Sequence, residues 1–566
     1  MKSNQYIYIV ILILVNYSSK GQSTFLPQQS KHYSFIERLE IKSCGGDQLS
    51  FTHIKPLESK SLTESVEKLI ANNKMDSNAM PLSKVDAYNL TSFYRNHLEW
   101  MSGDYSLYTS KKAVFKHFYK SPANLFEHRG DDFFIAVNPL IQYRQSQEKF
   151  GGSNLSNFVN QRGLSVRGHL GKKIGFSMMA MDVQERGPVF FRNWIDSLGA
   201  VPGGNFYKVF KKDGVDYIDA RGYFSFQAHK YVAFQVGYDR QFIGSGYRSM
   251  FLSDFSGNRL FVKINTKFWK INYQNLFMEL HAGAADNNTN NLVPKKYAAM
   301  HHVSMNITRW LNVGLFEGVI FGRKDRFEFG YLNPVIFLRS IEGNLGSRDN
   351  AVVGADFKLN ILKRGQVYGQ LLLDEFNISK MRQQSGWWGN KTSIQLGCKY
   401  IDAFSIKNLD MQVEWNRVRP FTYSHFDSVS NYAHYNQPLA HPLGANFNEY
   451  VLLLRYQPIP RLTMTGKIIY WQQGLDSSIT GYNAGGNIFR LNNDGRTNEF
   501  GYTILNGREQ KVMNSSFLVS YEWKENIFFD AHILHRRSSV QAGSTGSNFI
   551  IGLGFRMNLW FRDYDY

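Results

Sequence analysis

The stretch from Phe549 to Phe561 limits the fold more than any other part of the chain. In an extended chain successive side chains point to opposite sides. Ile551, Leu553, Phe555, Met557, Leu559 and Phe561 then share one face, and Gly552, Gly554, Arg556 and Asn558 share the other. One face is apolar and the other wet. A soluble antiparallel sheet can show this pattern, but a long, aromatic-rich strand of this kind is what closes a transmembrane β-barrel.

The same alternation runs from Phe133 onward, and its breaks alternate in length. Short turns are predicted near 171–173, 229–230, 268–270, 309–310, 362–365, 402–408, 458–460 and 523–526. Between them fall polar loops predicted to be long, near 145–162, 184–218, 241–258, 282–297, 322–350, 375–390, 418–447, 472–498 and 537–548. Short turns at one end and long loops at the other are the asymmetry of an outer-membrane barrel, with the short end periplasmic. The turn count predicts an all-β transmembrane barrel of about 18 antiparallel strands over 131–566. Charges at strand centres are costly toward lipid, so they mark the inner face. Asp356, Lys358 and Asn360 are predicted to point inward and Val353, Ala355, Phe357, Leu359 and Ile361 outward, with Asp410, Gln412 and Glu414 inward against Met411, Val413 and Trp415.

Residues 22–130 lack the alternation and predict a small α-helical periplasmic region. Ser61 to Glu64 has capping-box spacing ahead of Val66, Leu69 and Ile70. Ser83 with Asp86 marks a second helix start, leading into Phe93 and Leu98, and Lys111 to Tyr119 a third short helix. Lys2, the apolar run Tyr6 to Val15 and the small residues before Gln22 read as a signal peptide over 1–21. Composition agrees with a barrel: 44 Phe, 32 Tyr and 47 Gly against 14 Pro, and a mean hydropathy of −0.35 is too polar for a helical membrane bundle. The net charge of +19 suits a rim or lumen facing lipopolysaccharide phosphates or an acidic polysaccharide, or equally a solvated surface of interspersed Lys and Arg, and no nucleic-acid motif is present. Cys44 and Cys398 read as two separate thiols, with pairing the alternative.

Several longer motifs resemble a known family. They are Tyr331-Leu332-Asn333-Pro334 through Glu342 with Gly346 to Asn350, Phe118 to Phe126, Gly244 to Asp254, Gly369 to Phe376, Gly386-Trp387-Trp388-Gly389, Trp415 to His425 and His434 to Gly444. Together they resemble the Wzi-type capsule-assembly outer-membrane proteins in their Bacteroidota form, some of which are labelled RemB-type gliding-motility proteins. The resemblance implies an eighteen-stranded barrel with periplasmic helices that holds capsular polysaccharide as a lectin. Its expected partners are surface polysaccharide, lipopolysaccharide and outer-membrane lipid, the barrel assembly machinery and a motility apparatus. Gly552, Phe555 and Met557 resemble the assembly signal of such barrels, although Arg562 to Tyr566 follow as a short charged tail.

The candidate polysaccharide-binding residues stand in or beside the long loops: Tyr247, Arg248, Asp254, Arg339, Glu342, Asp349, Asp374, Trp387, Trp388, Arg417, Arg419, Tyr423 and His425, with Tyr432 and Tyr435 close by. Aromatic faces cover sugar C–H surfaces, and charged forks hydrogen-bond hydroxyl and acid groups. The competing reading has these aromatics in the membrane girdle and these charges pairing to hold loops shut. No cofactor, metal or catalytic residue is expected: His425, His434 and His441 lack ligand spacing, no two loop carboxylates are placed as a glycosidase pair, and Gly244-Ser245-Gly246 is a turn.

Overall fold

Every backbone N–H and C=O that crosses a bilayer needs a partner within the protein, and a closed antiparallel ladder supplies them all. The chain makes such a ladder. Its computed structural model describes residues 23–566 apart from 46–48, 76–79, 111–116, 172, 285–291, 324–325, 336, 347–348, 384–385 and 478–479. Eighteen strands close the barrel. They are β1 (Phe133–Phe150), β2 (Ser153–Leu170), β3 (Ile174–Arg186), β4 (Gly214–His229), β5 (Val232–Asp239), β6 (Arg259–Phe268), β7 (Ile271–His281), β8 (Lys295–Asn306) and β9 (Leu311–Phe321). The second half comprises β10 (Asn350–Ile361), β11 (Gly365–Glu375), β12 (Lys391–Tyr400), β13 (Leu409–Val418), β14 (Phe447–Ile459), β15 (Leu462–Leu475), β16 (Arg508–Lys524), β17 (Ile527–Val540) and β18 (Thr545–Met557). β18 pairs with β1, Gly554 facing Arg144 and Met557 facing Ile141, which closes the cylinder.

All eight short turns lie at one end of the barrel, as the alternation predicts. At the other end two loops expected to be long are short. The segment 145–162 is a hairpin whose strands extend to Phe150 and from Ser153 around Gly151-Gly152, both glycines at positive φ, the backbone a two-residue hairpin demands. The segment 537–548 turns within 541–544. Polar residues there continue the strands, because ladder pairing, not side-chain polarity, decides where a strand ends above the apolar band. The predicted faces hold: Asp356, Lys358 and Glu414 are buried inside while Val353 and Val413 are exposed outside. Cys398 lies on the outer face of β12 and Cys44 in the N-terminal segment, and both are free thiols.

The N-terminal residues form α1 (His32–Lys42), α2 (Ser59–Met75) and α3 (Lys84–Asn96), and α4 (Val189–Leu198) lies in the loop between β3 and β4. Ser83 and Asp86 make the predicted capping box at the start of α3: the Ser83 side chain accepts from the Asp86 N–H and Asp86 accepts from the Ser83 N–H. Ser61 is not the cap of α2, which begins at Ser59 because the Ser59 N–H is held by the Thr24 carbonyl. α1 is not signalled by any cap in the sequence. The proposed signal peptide lies outside the described residues, as does most of the Lys111–Tyr119 helix. The helices sit against the short-turn end, where Lys31 pairs with Glu525 at 2.7 Å, Arg38 with Asp402 at 3.0 Å and with Asp410, and Ser83 with Asn408 at 2.7 Å.

This region does not stop at the mouth. Glu40 reaches Lys358 on the inner wall at 2.5 Å, with both side chains almost fully buried, and Glu37 reaches Lys399 at 3.0 Å. Ile54 and Lys55 pair with Ile243 and Phe242, residues of the loop that folds in from the opposite end. That loop, 240–258, buries Met250, Phe251 and Leu252 against Tyr423, Tyr432 and Leu439 of loop 419–446. The Tyr423 hydroxyl donates to the Met250 carbonyl at 2.8 Å and the Tyr432 hydroxyl to the Phe251 carbonyl at 2.6 Å. The lumen is therefore plugged from both ends, and a cavity of about 690 Å³ with a mixed polar and apolar lining remains among the N-terminal segment, the wall and the last residues of the chain.

Those last residues correct the reading of the closing stretch. The strand ends at Met557, and Asn558 takes a φ of 55° that turns the chain inward. Leu559 is buried and Phe561 lies on the Arg144 guanidinium inside the barrel, so neither extends the lipid face. Arg562 pairs with Glu185 at 3.3 Å, Asp563 and Asp565 pair with Lys467, and Asn514 donates to the Tyr564 carbonyl at 2.9 Å.

Outside the barrel, loop 322–349 leans on the wall of β7–β9. Asn275, His301 and Glu317 adjoin one another on the outward face, where uncovered polar groups would meet lipid. The loop covers them: Leu338, in α5 (Leu338–Leu345), donates its N–H to Glu317 at 2.9 Å, and Glu317 accepts from the His301 Nδ1 at 2.8 Å. Tyr331 and Leu338 pack on Phe277, Ala299 and Val319, while Phe329, Val335 and Phe337 face away and are more than three-quarters exposed. Replacing Glu317 by Ala should release this flap; proteolysis of the folded protein is expected to cut within 322–349 in Glu317→Ala and to spare the parent.

Candidate functional site

The proposed binding residues separate into three groups by position, with Arg417 apart from them. Tyr247, Arg248, Tyr423 and His425 belong to the plug. The Tyr247 and Arg248 N–H groups donate to the two oxygens of Glu414 at 2.7 and 3.0 Å, and the Tyr247 hydroxyl bonds Lys467 at 2.7 Å. Burial opposes the Arg248 charge, but Glu449 and Asp565 beside it raise its pKa above the ordinary arginine value. Burial pushes His425 down to about 4, helped by Lys391, so it stays neutral. Its ring Nδ1 accepts from the Asp427 N–H at 3.3 Å. Asp254 borders the cavity. Tyr432 is buried in the plug, and Tyr435 packs edge-on to His281.

Asp349, Arg339, Glu342, Asp374 and Arg419 hold the long loops in shape. Asp349 accepts two hydrogen bonds from Arg323 at 2.7 and 2.6 Å and one from the Tyr331 hydroxyl at 2.6 Å. Arg339 and Glu342 pair one helical turn apart in α5 at 2.8 Å. Asp374 accepts from the Tyr423 N–H at 2.7 Å, and Arg419 donates to the Asn390 carbonyl at 2.8 Å. Arg417 is exposed on the outer face of β13, in line with Val413 and Trp415.

Trp387 and Trp388 alone among the candidates form a half-buried aromatic pair with cations. They follow the short helix α6 (Ile378–Arg382), and both indole N–H groups donate to one oxygen of Glu499, at 3.3 and 2.9 Å. Arg496 lies 3.9 Å over the Trp388 ring and bonds Glu499 at 2.8 Å; Lys380 lies 4.2 Å over the Trp387 ring. Burial opposes ionisation of Glu499, but the Trp388 N–H and Arg496 outweigh it and hold the carboxyl below its ordinary range. Lys380, Arg496 and Glu499 are absent from the sequence-derived set. Arg496 and Glu499 lie more than 100 residues beyond the tryptophans, and no local spacing links the two loops.

His425, His434 and His441 do not converge. His434 Nδ1 accepts from the His281 N–H at 3.1 Å, while His441 Nε2 meets Glu449 at 2.7 Å. Among the described residues, the group with three possible metal ligands is His53, His302 and Asp356, on the inner wall and plug.

A closed barrel of eighteen strands, plugged at both ends and carrying an aromatic–cationic patch on its long-loop side, belongs to the class of outer-membrane β-barrels. The family profile of capsule assembly protein Wzi matches residues 121–526, and the chain belongs to that family. Among solved structures it is similar to Wzi of Escherichia coli, described as an outer-membrane protein involved in group 1 capsule assembly and a carbohydrate-binding β-barrel. That likeness has a TM-score of 0.55 and 12% identity, covering 95% of this chain and 100% of that one. Pseudomonas aeruginosa OprD matches with a TM-score of 0.39 and 10% identity over 74% of this chain and 95% of that one. OpdK of the same organism matches at 0.42 and 8% identity over 75% and 99%. No curated protein matches the sequence significantly.

The first two groups predict different outcomes from the third. Arg248→Ala leaves Glu449 and Asp565 without their guanidinium partner, at a cost of about 3–5 kcal/mol. Its unfolding temperature, read from heat-dependent migration on SDS gels, should fall clearly, whereas Trp388→Ala at the surface should shift it far less.

Proposed function

We propose that the chain holds an acidic surface polysaccharide at the outside of the outer membrane and so supports capsule or exopolysaccharide attachment. The observation that carries this reading is the Trp387–Trp388 pair set between Lys380 and Arg496 on the long-loop side. Indole faces bind sugar C–H surfaces, and the two cations attract carboxylate or phosphate substituents. Arg417, exposed at the rim, adds a contact for lipopolysaccharide phosphate. In this reading residues 1–21 direct export, residues 22–130 enter the barrel from its periplasmic end, with part of the segment inside the lumen, and barrel assembly machinery inserts residues 131–566. The protein binds and does not catalyse. The plugged lumen weighs against a passive channel, and no residue-level observation favours the motility-linked alternative.

The test is binding of purified protein to the acidic polysaccharide of its own cell surface. Trp388→Ala and Arg496→Ala should each weaken it about tenfold, equivalent to about 1.4 kcal/mol, and added salt should weaken the parent. Cells lacking the protein should shed polysaccharide that they still synthesise, and the double variant Trp387→Ala/Trp388→Ala should fail to restore retention. Equal retention with and without the protein would overturn the proposal.

A further inference from the structure

His302 on β8 and Asp356 on β10 stand on the strands that flank β9, and they meet across it. Their Nε2 and Oδ1 atoms are 2.8 Å apart. The approach is possible because β9 carries Gly314 between them: a Cβ there would lie 2.2 Å from Asp356 Oδ1 and 2.8 Å from His302 Nε2. Ser304 is the other neighbour of Gly314 in the ladder, and its hydroxyl is buried without a hydrogen-bond partner. From the plug side comes His53. Its backbone is fixed because its carbonyl accepts from the Gly244 N–H at 2.8 Å, and its ring meets the His302 ring edge-on at 5.3 Å. One ligand atom each from His53, His302 and Asp356 lies within 4.8 Å of the others, and all three side chains are buried.

We propose that His53, His302, Asp356 and Ser304 form a transition-metal site that fastens the N-terminal plug to the barrel wall, with Zn²⁺ the ion its donors suit best. Two imidazoles and a carboxylate are a common zinc donor set, and bonds of about 2.0–2.2 Å place tetrahedral donors about 3.4 Å apart. The ligand atoms of this group, with His302 and Asp356 2.8 Å apart and all three within 4.8 Å, bracket that spacing. The surroundings supply the rest of a metal site. Gln274 lies opposite His302 in the ladder, with an Oε1 that has no hydrogen-bond partner. An acceptor in that position can orient a metal-bound imidazole through its second nitrogen. Lys358 and Glu40 nearby neutralise each other, leaving the Asp356 charge for the ion. The site joins wall and plug through three separated chain segments, so bound metal stabilises the plugged state.

The experiment refolds the full chain from urea into detergent with ZnCl₂ or with EDTA, then removes free ion and measures bound metal and unfolding temperature. Roughly one equivalent of Zn²⁺ per chain is expected, with a higher unfolding temperature than the EDTA sample. Co²⁺ in its place should give the visible absorption of a tetrahedral site. His53→Gln leaves the wall intact, so it should fold to a barrel yet lose the bound ion; Asp356→Asn should lose it too. Parent protein that folds with less than about 0.1 equivalents of Zn²⁺, or His53→Gln that keeps the full equivalent, would overturn the proposal.

Discussion

The requirement that every membrane-crossing backbone group be paired within the protein produces the closed ladder, and the ladder dictates the rest. Once β18 pairs with β1, every strand has one face toward lipid and one toward the lumen. Charges on the inward face of the strands, such as Lys358, Lys399, Glu414 and Lys467, have only the lumen to occupy. A buried charge without a partner is costly. In this protein the partners come from other parts of the chain: Glu40 and Glu37 from α1, Asp563 and Asp565 from the last residues, and the Tyr247 and Arg248 backbone from the inward loop.

The same accounting places function at the surface. Inside the barrel, aromatic and charged side chains are committed to one another, so Tyr423 and Arg248 support the loops and leave recognition to residues above them. Outside, the wall carries the polar group Asn275, His301 and Glu317, and the flap shields it while presenting Phe329, Val335 and Phe337 outward. The Trp387–Trp388 patch lies where neither demand applies, held by loop contacts through Glu499 and flanked by cations.

Much of the wall was legible in the sequence because a strand's two-residue period records which side meets lipid. Val353 through Ile361 announced both faces of β10, and the eight tight turns announced the topology. The Ser83–Asp86 cap was readable because both partners are local. What failed was non-local. The polar residues of 145–162 look like loop but extend a hairpin, and Leu559 and Phe561 continue the apolar alternation while Asn558 turns them into the lumen. The plug, the flap and the pairing of Trp388 with Arg496 depend on contacts between distant segments, which periodicity does not encode. The candidate list consequently mixed residues that hold loops together with the surface pair.

The central claim, that the charges on the inner wall are paired by segments of the chain that fill the lumen and leave no through-passage, is tested most directly by ion conductance in planar bilayers. The parent protein should insert without open-channel current. The double variant Glu37→Ala/Glu40→Ala, which releases Lys399 and Lys358 from α1, should show intermittent conducting steps. Sustained conductance by the parent protein would contradict the account.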